Sequence, residues 1–406
     1  MPATFQHATL PNGLTIIAET DPAAHTAAAG FFVRTGARDE APRLMGVSHF
    51  LEHMMFKGTA KRSADDVNRE FDEIGANHNA YTSSELTCFY ASTLPEYFGT
   101  SVDILADILR PALRQADFDT EKGVILEEIA MYKDNPFWVL YEKAMEEYYS
   151  DHPLAHRVLG TDDTIKALRR DEMQAYFDQR YSADNTALAL AGKVDFASAV
   201  EQARGVCGHW GNTGANRNTA TPTGMDREFT MRDPKVNRAY LLLVSPGPSS
   251  IDPRRYAASM LAQVLGGGDN SRLHWALVEP GTAEEAQAAF DPRDGCGDYY
   301  AFASCDPERV DEVWAVVERE IEHLSASLTD DDLERLRNKL ATGVTLAGER
   351  PSGRMQRLGR MWTYEKAYRP LEKELEAINA VTLQDLREVA AAFPFKPRTV
   401  GRMLPA

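Results

Sequence analysis

"GVCGHWGNTGANRNTATPTG", residues 205–224, decides how the chain divides. Its density of Gly, Asn and Thr around a single proline carries neither a helical nor a strand period, so it reads as a linker. The same order of elements runs on both sides of it. Before it, residues 8–36 read as strands with an Asn12-Gly13 turn signal, and a helix follows near 43–57. "SADDVNREFDEIGA" then begins on a capping serine, carries acidic residues in its first turn and stops at Gly75. "NHNAYTSSELTCFYASTL" is a strand pair, followed by helical patterns at 95–111, 117–133, 136–150 and 163–179 and the strand "NTALALAG". After the linker come strands "REFTMRD" and "RAYLLLVSPG", a helix over 252–265, the loop "LGGGDNS", a strand pair through "CGDYYAFASC", and helices near 307–326, 329–347 and 382–393. The repetition predicts an α+β fold of two similar domains, each a mostly antiparallel sheet packed with helices: 1–207, a linker at 208–225, and 226–406.

Composition narrows the function classes. Of 406 residues, 43% are hydrophobic and 26% charged, the mix of a globular protein. With 61 acidic against 44 basic side chains the formal net charge is -17, which repels phosphate backbones and argues against a nucleic-acid partner. No apolar run is long enough for a membrane span. The first residues lack a secretory pattern, which predicts a cytoplasmic protein, or a periplasmic one if a signal has been removed. Cys88, Cys207, Cys296 and Cys305 form no C-x-x-C pair and read as reduced core residues. Gly266, Gly267 and Gly268 lack the Gly-Lys-Ser/Thr ending of a phosphate loop, so nucleotide binding is not expected.

Chemistry concentrates in "SHFLEHMMFKGT", residues 48–59. In a helix His49 and His53, four apart, share a face and can offer imidazole nitrogen to one ion. Glu52 falls at the edge of that face, placed to take a proton from water rather than to bind the ion. Catalytic zinc uses three protein ligands, so a third must come from elsewhere. "TEKGVILEEIAMYKDNP" offers Glu121 and Glu128, two turns apart on one face, with Glu127 turned about 100° away. Two histidines and a carboxylate would support metal-assisted hydrolysis with Glu52 as general base. A solvated helix face fits the same residues, and a closed structural zinc site fits them poorly without cysteine.

The runs "RDEAPRLMGVSHFLEHMMFKGTAKRSADDV", "GANHNAYTSSELTCFYASTL", "EKGVILEEIAMYKDNP", "HPLAHRVLGT" and "YSADNTALALAGKVD" resemble the inverzincin peptidases: pitrilysin, insulin-degrading enzyme and the mitochondrial processing peptidases. The resemblance covers nearly all of the first half and continues more weakly through "LGGGDNSRL". It implies a zinc metallopeptidase with one Zn2+ per chain, held by His49, His53 and Glu128. It also implies Glu52 as catalytic base and Glu121 as a supporting group. "NAYT" (Asn79, Ala80, Tyr81, Thr82) matches the family's edge strand, which adds an extended peptide substrate to the sheet by main-chain hydrogen bonds.

One departure is informative. The family pattern Leu-Arg-Glu-x-x-Gly-Leu-x-Tyr meets "WALVEPGTAEEA" here, one residue shorter than the pattern, with Val278 where Arg is expected and Glu284 about where Tyr is expected. Neither can donate to an oxyanion, and one lost donor of that kind costs about 3–4 kcal/mol of transition-state stabilisation. By similarity to the divided mitochondrial enzyme, the chain is expected to be the zinc-carrying subunit of a heterodimer. A homologous non-zinc chain would supply Arg and Tyr, and the two would enclose a chamber for peptides or unfolded segments. The family also contains non-catalytic core subunits and peptidases that cut one defined precursor.

Overall fold

The computed structural model describes residues 3–406. The first half of the chain forms β1 (Thr4–Thr9), β2 (Thr15–Thr20), β3 (Ala27–Val33), α1 (Val47–Met55), α2 (Ala64–Glu73), β4 (Asn77–Thr82) and β5 (Thr87–Thr93). It continues with α3 (Phe98–Ile108), α4 (Gln115–Tyr132), α5 (Pro136–Tyr149), α6 (Asp162–Ala167), α7 (Arg170–Arg180), β6 (Thr186–Gly192) and α8 (Phe196–Cys207). The second half forms β7 (Arg227–Asp233), β8 (Ala239–Gly247), α9 (Arg255–Gly266), β9 (Glu285–Pro292), β10 (Gly297–Cys305) and α10 (Val310–His323). It ends in α11 (Asp330–Glu349), α12 (Pro351–Glu365), α13 (Leu371–Ala380), α14 (Leu383–Ala392) and β11 (Thr399–Pro405).

Local chemistry sets several boundaries. Ser63 caps α2 by accepting from the Asp66 amide, and Asp66 returns a bond to the Ser63 amide. The single helix expected over 163–179 is two, because Leu168 and Arg169 are extended and the Glu172 carboxylate takes the Arg169 amide to start α7.

Two compact units emerge: Met1–Ile129, His156–Asn218 and Thr345–Tyr368 form one, and Ala130–Ala155, Thr219–Val344 and Arg369–Ala406 form the other. The sheet of the first runs β1-β2-β6-β3-β5-β4, and that of the second β7-β11-β8-β10-β9. Each has one parallel pair, β2 with β6 and β11 with β7, and is otherwise antiparallel. Dropping β1, the two strand orders match place for place. The α+β architecture of two related sheets is therefore as expected.

The strand pleat accounts for the packing. Leu241 and Leu243 face one core of the second unit, while Leu242 and Val244 face another with Leu140, Ala144 and Met145 of α5. In the first unit Ile17, Ala28, Phe32 and Ala189 turn toward Met355, Leu358 and Met361 of α12. That helix lies very close to β3: a Cβ at Gly359 would stand 2.1 Å from the Phe32 ring. Each sheet thus has one face covered by a helix from the other half of the sequence. The expected division at 207 and 226 follows chain order, whereas the apolar stripes of α5 and α12 are exchanged.

The linker is also less free than its composition suggests. The Arg217 side chain, 1% exposed, pairs with Asp39 at 2.6 Å, Arg180 donates to the Asn216 carbonyl and Arg38 to that of Asn218. Among the described residues no helix is long and apolar enough to cross a membrane. All four cysteines are buried.

Candidate metal centre

Helix α1 is set before its reactive residues are reached. Gly46, at φ 95°, turns the chain into it, and a Cβ there would stand 2.6 Å from the Leu159 carbonyl oxygen. The amides of Gly46 and Ser48 both donate to the buried Glu40 carboxylate at 2.7 Å, satisfying donors that a helix start leaves open. Burial pushes the Glu40 carboxyl up to about 8. Ser48 Oγ lies 2.7 Å from the Tyr176 hydroxyl on α7, which lies 2.9 Å from Thr35 Oγ1. The helix is therefore tied at its N-terminus to a loop and to a second helix.

From that base His49 and His53 project together, ring centroids 4.7 Å apart. Glu128 of α4 meets them: its Oε2 is 3.6 Å from His49 Nε2 and 3.5 Å from His53 Nε2. These separations are too long for hydrogen bonds. Zinc bonds of about 2.0–2.2 Å in a tetrahedron require ligand-to-ligand edges of roughly 3.3–3.6 Å, so the three atoms fit one ion. Among the described residues His49, His53 and Glu128 are the one group of three His, Cys, Asp or Glu side chains that could hold a metal.

The electrostatics favour ligation at His49, and at His53 and Glu128 they favour the proton that a metal ion would displace. Burial, followed by the neighbouring His53, brings the His49 pKa down to about 4, so its imidazole is neutral and a lone pair is available. His53 Nδ1 is 2.8 Å from Glu121 Oε1, and Glu121 Oε2 is 2.6 Å from Lys57 Nζ. Burial alone would lower the His53 pKa, but the Glu121 bond and the surrounding carboxylates outweigh it and raise it. Burial would likewise raise that of Glu121, but His53 and Lys57 hold it low. Glu121 thus fixes which nitrogen of His53 faces Glu128, in the manner of carboxylates that orient metal-binding histidines. Burial raises Glu128.

Glu52 stands apart from the ligand group. Its Oε2 accepts from Thr82 Oγ1 at 2.5 Å, and burial raises its pKa despite that bond. Thr82 ends β4, the outermost strand of the sheet, paired on one side only, to β5. Because the Ser83 amide bonds the Leu86 carbonyl, alternation along the ladder turns the main-chain groups of His78, Ala80 and Thr82 toward the open edge. The outward Ala80 amide is taken by the neighbouring Asn79 Oδ1 at 2.8 Å.

Within the first unit the sequence-derived residues therefore converge: His49, His53 and Glu128 as one group, Glu121 behind His53, Glu52 and Thr82 joined beside the edge strand. Val278 and Glu284 belong to the second unit. Val278 closes a π-helical turn, His274–Val278, and Glu284 pairs with Arg238. The sequence reading missed Lys57 and Glu40. Lys57 follows His53 by four residues, the spacing that puts side chains on one side of a turn, whereas nothing local marks Glu40.

Known proteins resemble the chain in sequence and in fold. A family model for insulinase (peptidase family M16) matches residues 15–162, and one for the peptidase M16 inactive domain matches residues 167–340. An uncharacterized zinc protease of Streptomyces coelicolor is 34% identical over 400 residues, covering 95% of this chain and 86% of that one. One from Bacillus subtilis is 28% identical over 94% of each. A protease from Helicobacter pylori shares the fold, with a TM-score of 0.92 at 19% identity over 100% of both chains. A Pseudomonas fluorescens structure described as a peptidase M16 inactive domain gives 0.89 at 18% identity, over 99% of this chain and 98% of that one. Fold and relatives together define a two-unit scaffold of the zinc-protease class. The chain belongs to peptidase family M16.

Proposed function

We propose that the chain is a zinc-dependent metallopeptidase that hydrolyses peptide bonds in extended peptides, with one zinc per chain held by His49, His53 and Glu128. The observation that carries this reading is the pair of 3.5 and 3.6 Å separations from Glu128 Oε2 to the two imidazoles. Held by those three side chains, a zinc ion would supply Lewis acidity toward the scissile carbonyl and toward the attacking water, whose pKa such an ion brings toward about 7.

The chain's own residues do the rest. Glu52 accepts the proton of the attacking water and returns it to the leaving amine, a task suited to a carboxylate whose pKa burial has raised. Thr82 holds that carboxylate from the end of the strand on which the peptide lies. The peptide adds to the open edge of β4, bonding the outward groups of His78, Ala80 and Thr82 and displacing Asn79 Oδ1 from the Ala80 amide. Glu121, braced by Lys57, keeps His53 in its ligating orientation. With Val278 and Glu284 in place of Arg and Tyr, donors to the oxyanion come from a homologous non-zinc partner chain.

Metal analysis tests the assignment. The parent chain should hold about one zinc, His49→Ala and His53→Ala close to none, and Glu52→Gln as much as the parent with turnover lost. Parental zinc in both histidine variants would refute the ligand set, and retained turnover in Glu52→Gln would remove it as base.

A further inference from the structure

Helix α12 presents arginines at intervals of three: Arg354, Arg357 and Arg360. The first donates to the Gly348 carbonyl and the second pairs with Glu19. Arg360 is the exposed one and has no carboxylate partner among the described residues. Its Nε lies 3.4 Å from the Tyr81 hydroxyl, and its guanidinium carbon stands 5.6 Å from the centroid of the Tyr81 ring. The Tyr81 hydroxyl in turn donates to Gln356 Oε1 at 2.9 Å. In a chain of net charge -17, an arginine without an acid partner therefore sits over the side chain of an edge-strand residue.

The pleat defines what it would meet. Ala80 turns into the core that contains α1, whereas Tyr81 turns into the one that contains α12. A peptide lying along the open edge of β4 alternates in step with the strand beside it. Its residue next to Ala80 projects toward the face of His49 and Glu52. The residue next to Tyr81 projects to the opposite face, beside Arg360.

We propose that Arg360 selects an acidic side chain, Asp or Glu, at the peptide position that lies beside Tyr81. This rests on the reading of β4 as the peptide-binding strand. It makes the chain a sequence-selective peptidase whose preference is set by a helix from the second half of its sequence.

Binding measurements test this without depending on turnover. The full-length Glu52→Gln chain, loaded with zinc, is titrated against labelled peptides that differ only by Glu, Gln or Lys at one scanned position. At one position Glu should bind about two- to fivefold tighter than Gln, the range of an exposed ion pair. The advantage should shrink as salt rises. Adding Arg360→Ala should erase the advantage, and Arg360→Glu should turn it toward Lys. The proposal is overturned if no position favours Glu, or if Arg360→Glu keeps the parent's Glu-to-Gln ratio. Ala80→Pro separates this from the strand reading, because it removes the outward amide at a place where an edge strand tolerates proline. If that variant stays folded by circular dichroism and loses affinity for all peptides alike, the strand reading stands even where Arg360 fails. If it binds as the parent does, both fall.

Discussion

Helices α1 and α9 pack beside the edge strands β4 and β9 of sheets whose strand orders correspond, yet they are built from opposite kinds of residue. From Ala257 to Leu265, α9 buries Ala257, Ala258, Met260, Leu261, Ala262, Val264 and Leu265 and presents no ionisable group. Helix α1 buries Phe50, Leu51, Met54 and Met55 on one side and carries His49, Glu52 and His53 on the other. Buried and half-buried ionisable groups are costly unless they are paired: His53 is paired with Glu121 and Glu52 with Thr82, whereas the buried His49 stands 3.6 Å from Glu128. The duplicated sheet needs only a helix packed beside its edge. Whether that helix carries chemistry depends on partners supplied from α4 and β4.

The largest separation between the two helices should come from Glu52→Gln. Turnover of a fluorogenic peptide should fall by about 10²–10⁴ while zinc content stays level. Next in size is the partner chain: adding a homologous chain with Arg and Tyr in the Leu-Arg-Glu pattern should raise kcat/KM by roughly 10²–10³. Full activity of the purified chain alone would remove the divided site. Thr82→Val deletes the hydroxyl that holds Glu52 and keeps the volume, so kcat should drop by about two- to tenfold with metal unchanged. The smallest effect on turnover should follow Leu261→Ala in α9. It should lower unfolding stability by about 2–5 kcal/mol in denaturant titration and leave zinc per folded chain intact. A loss of zinc there would mean that the second sheet supports the first site.

What could be read from the sequence follows from distance along the chain. His49, Glu52 and His53 lie within one turn and a half, and Glu121 with Glu128 within two turns, so helical spacing alone predicts their shared faces. Lys57, missed, was within the same reach. Glu40 was not legible, because its role depends on a loop folding back onto the amides of Gly46 and Ser48. Helix α12 was missed for a different reason. Its apolar stripe of Met355, Leu358 and Met361 is narrow and interrupted by glycines and arginines, and makes sense only against a sheet face built from Ile17, Phe32 and Ala189, far earlier in the chain. The composition of residues 205–224 marks irregular chain, but the Arg217 pairing with Asp39 that pins it is long-range and has no local signal.

The exchange of α5 and α12 also imposes an order on synthesis. The first sheet has all its strands once β6 ends at Gly192, but the helix that closes its second face ends at Glu365. At translation rates of about 5–20 residues per second, that leaves the Ile17, Ala28 and Phe32 face open for roughly ten to thirty seconds on the ribosome. A nascent chain in that interval displays an apolar surface that its own finished portion does not cover. Two separately made fragments cut at the linker would each lack the helix that the other carries. Each should therefore be insoluble alone, and the pair should be rescued by co-expression.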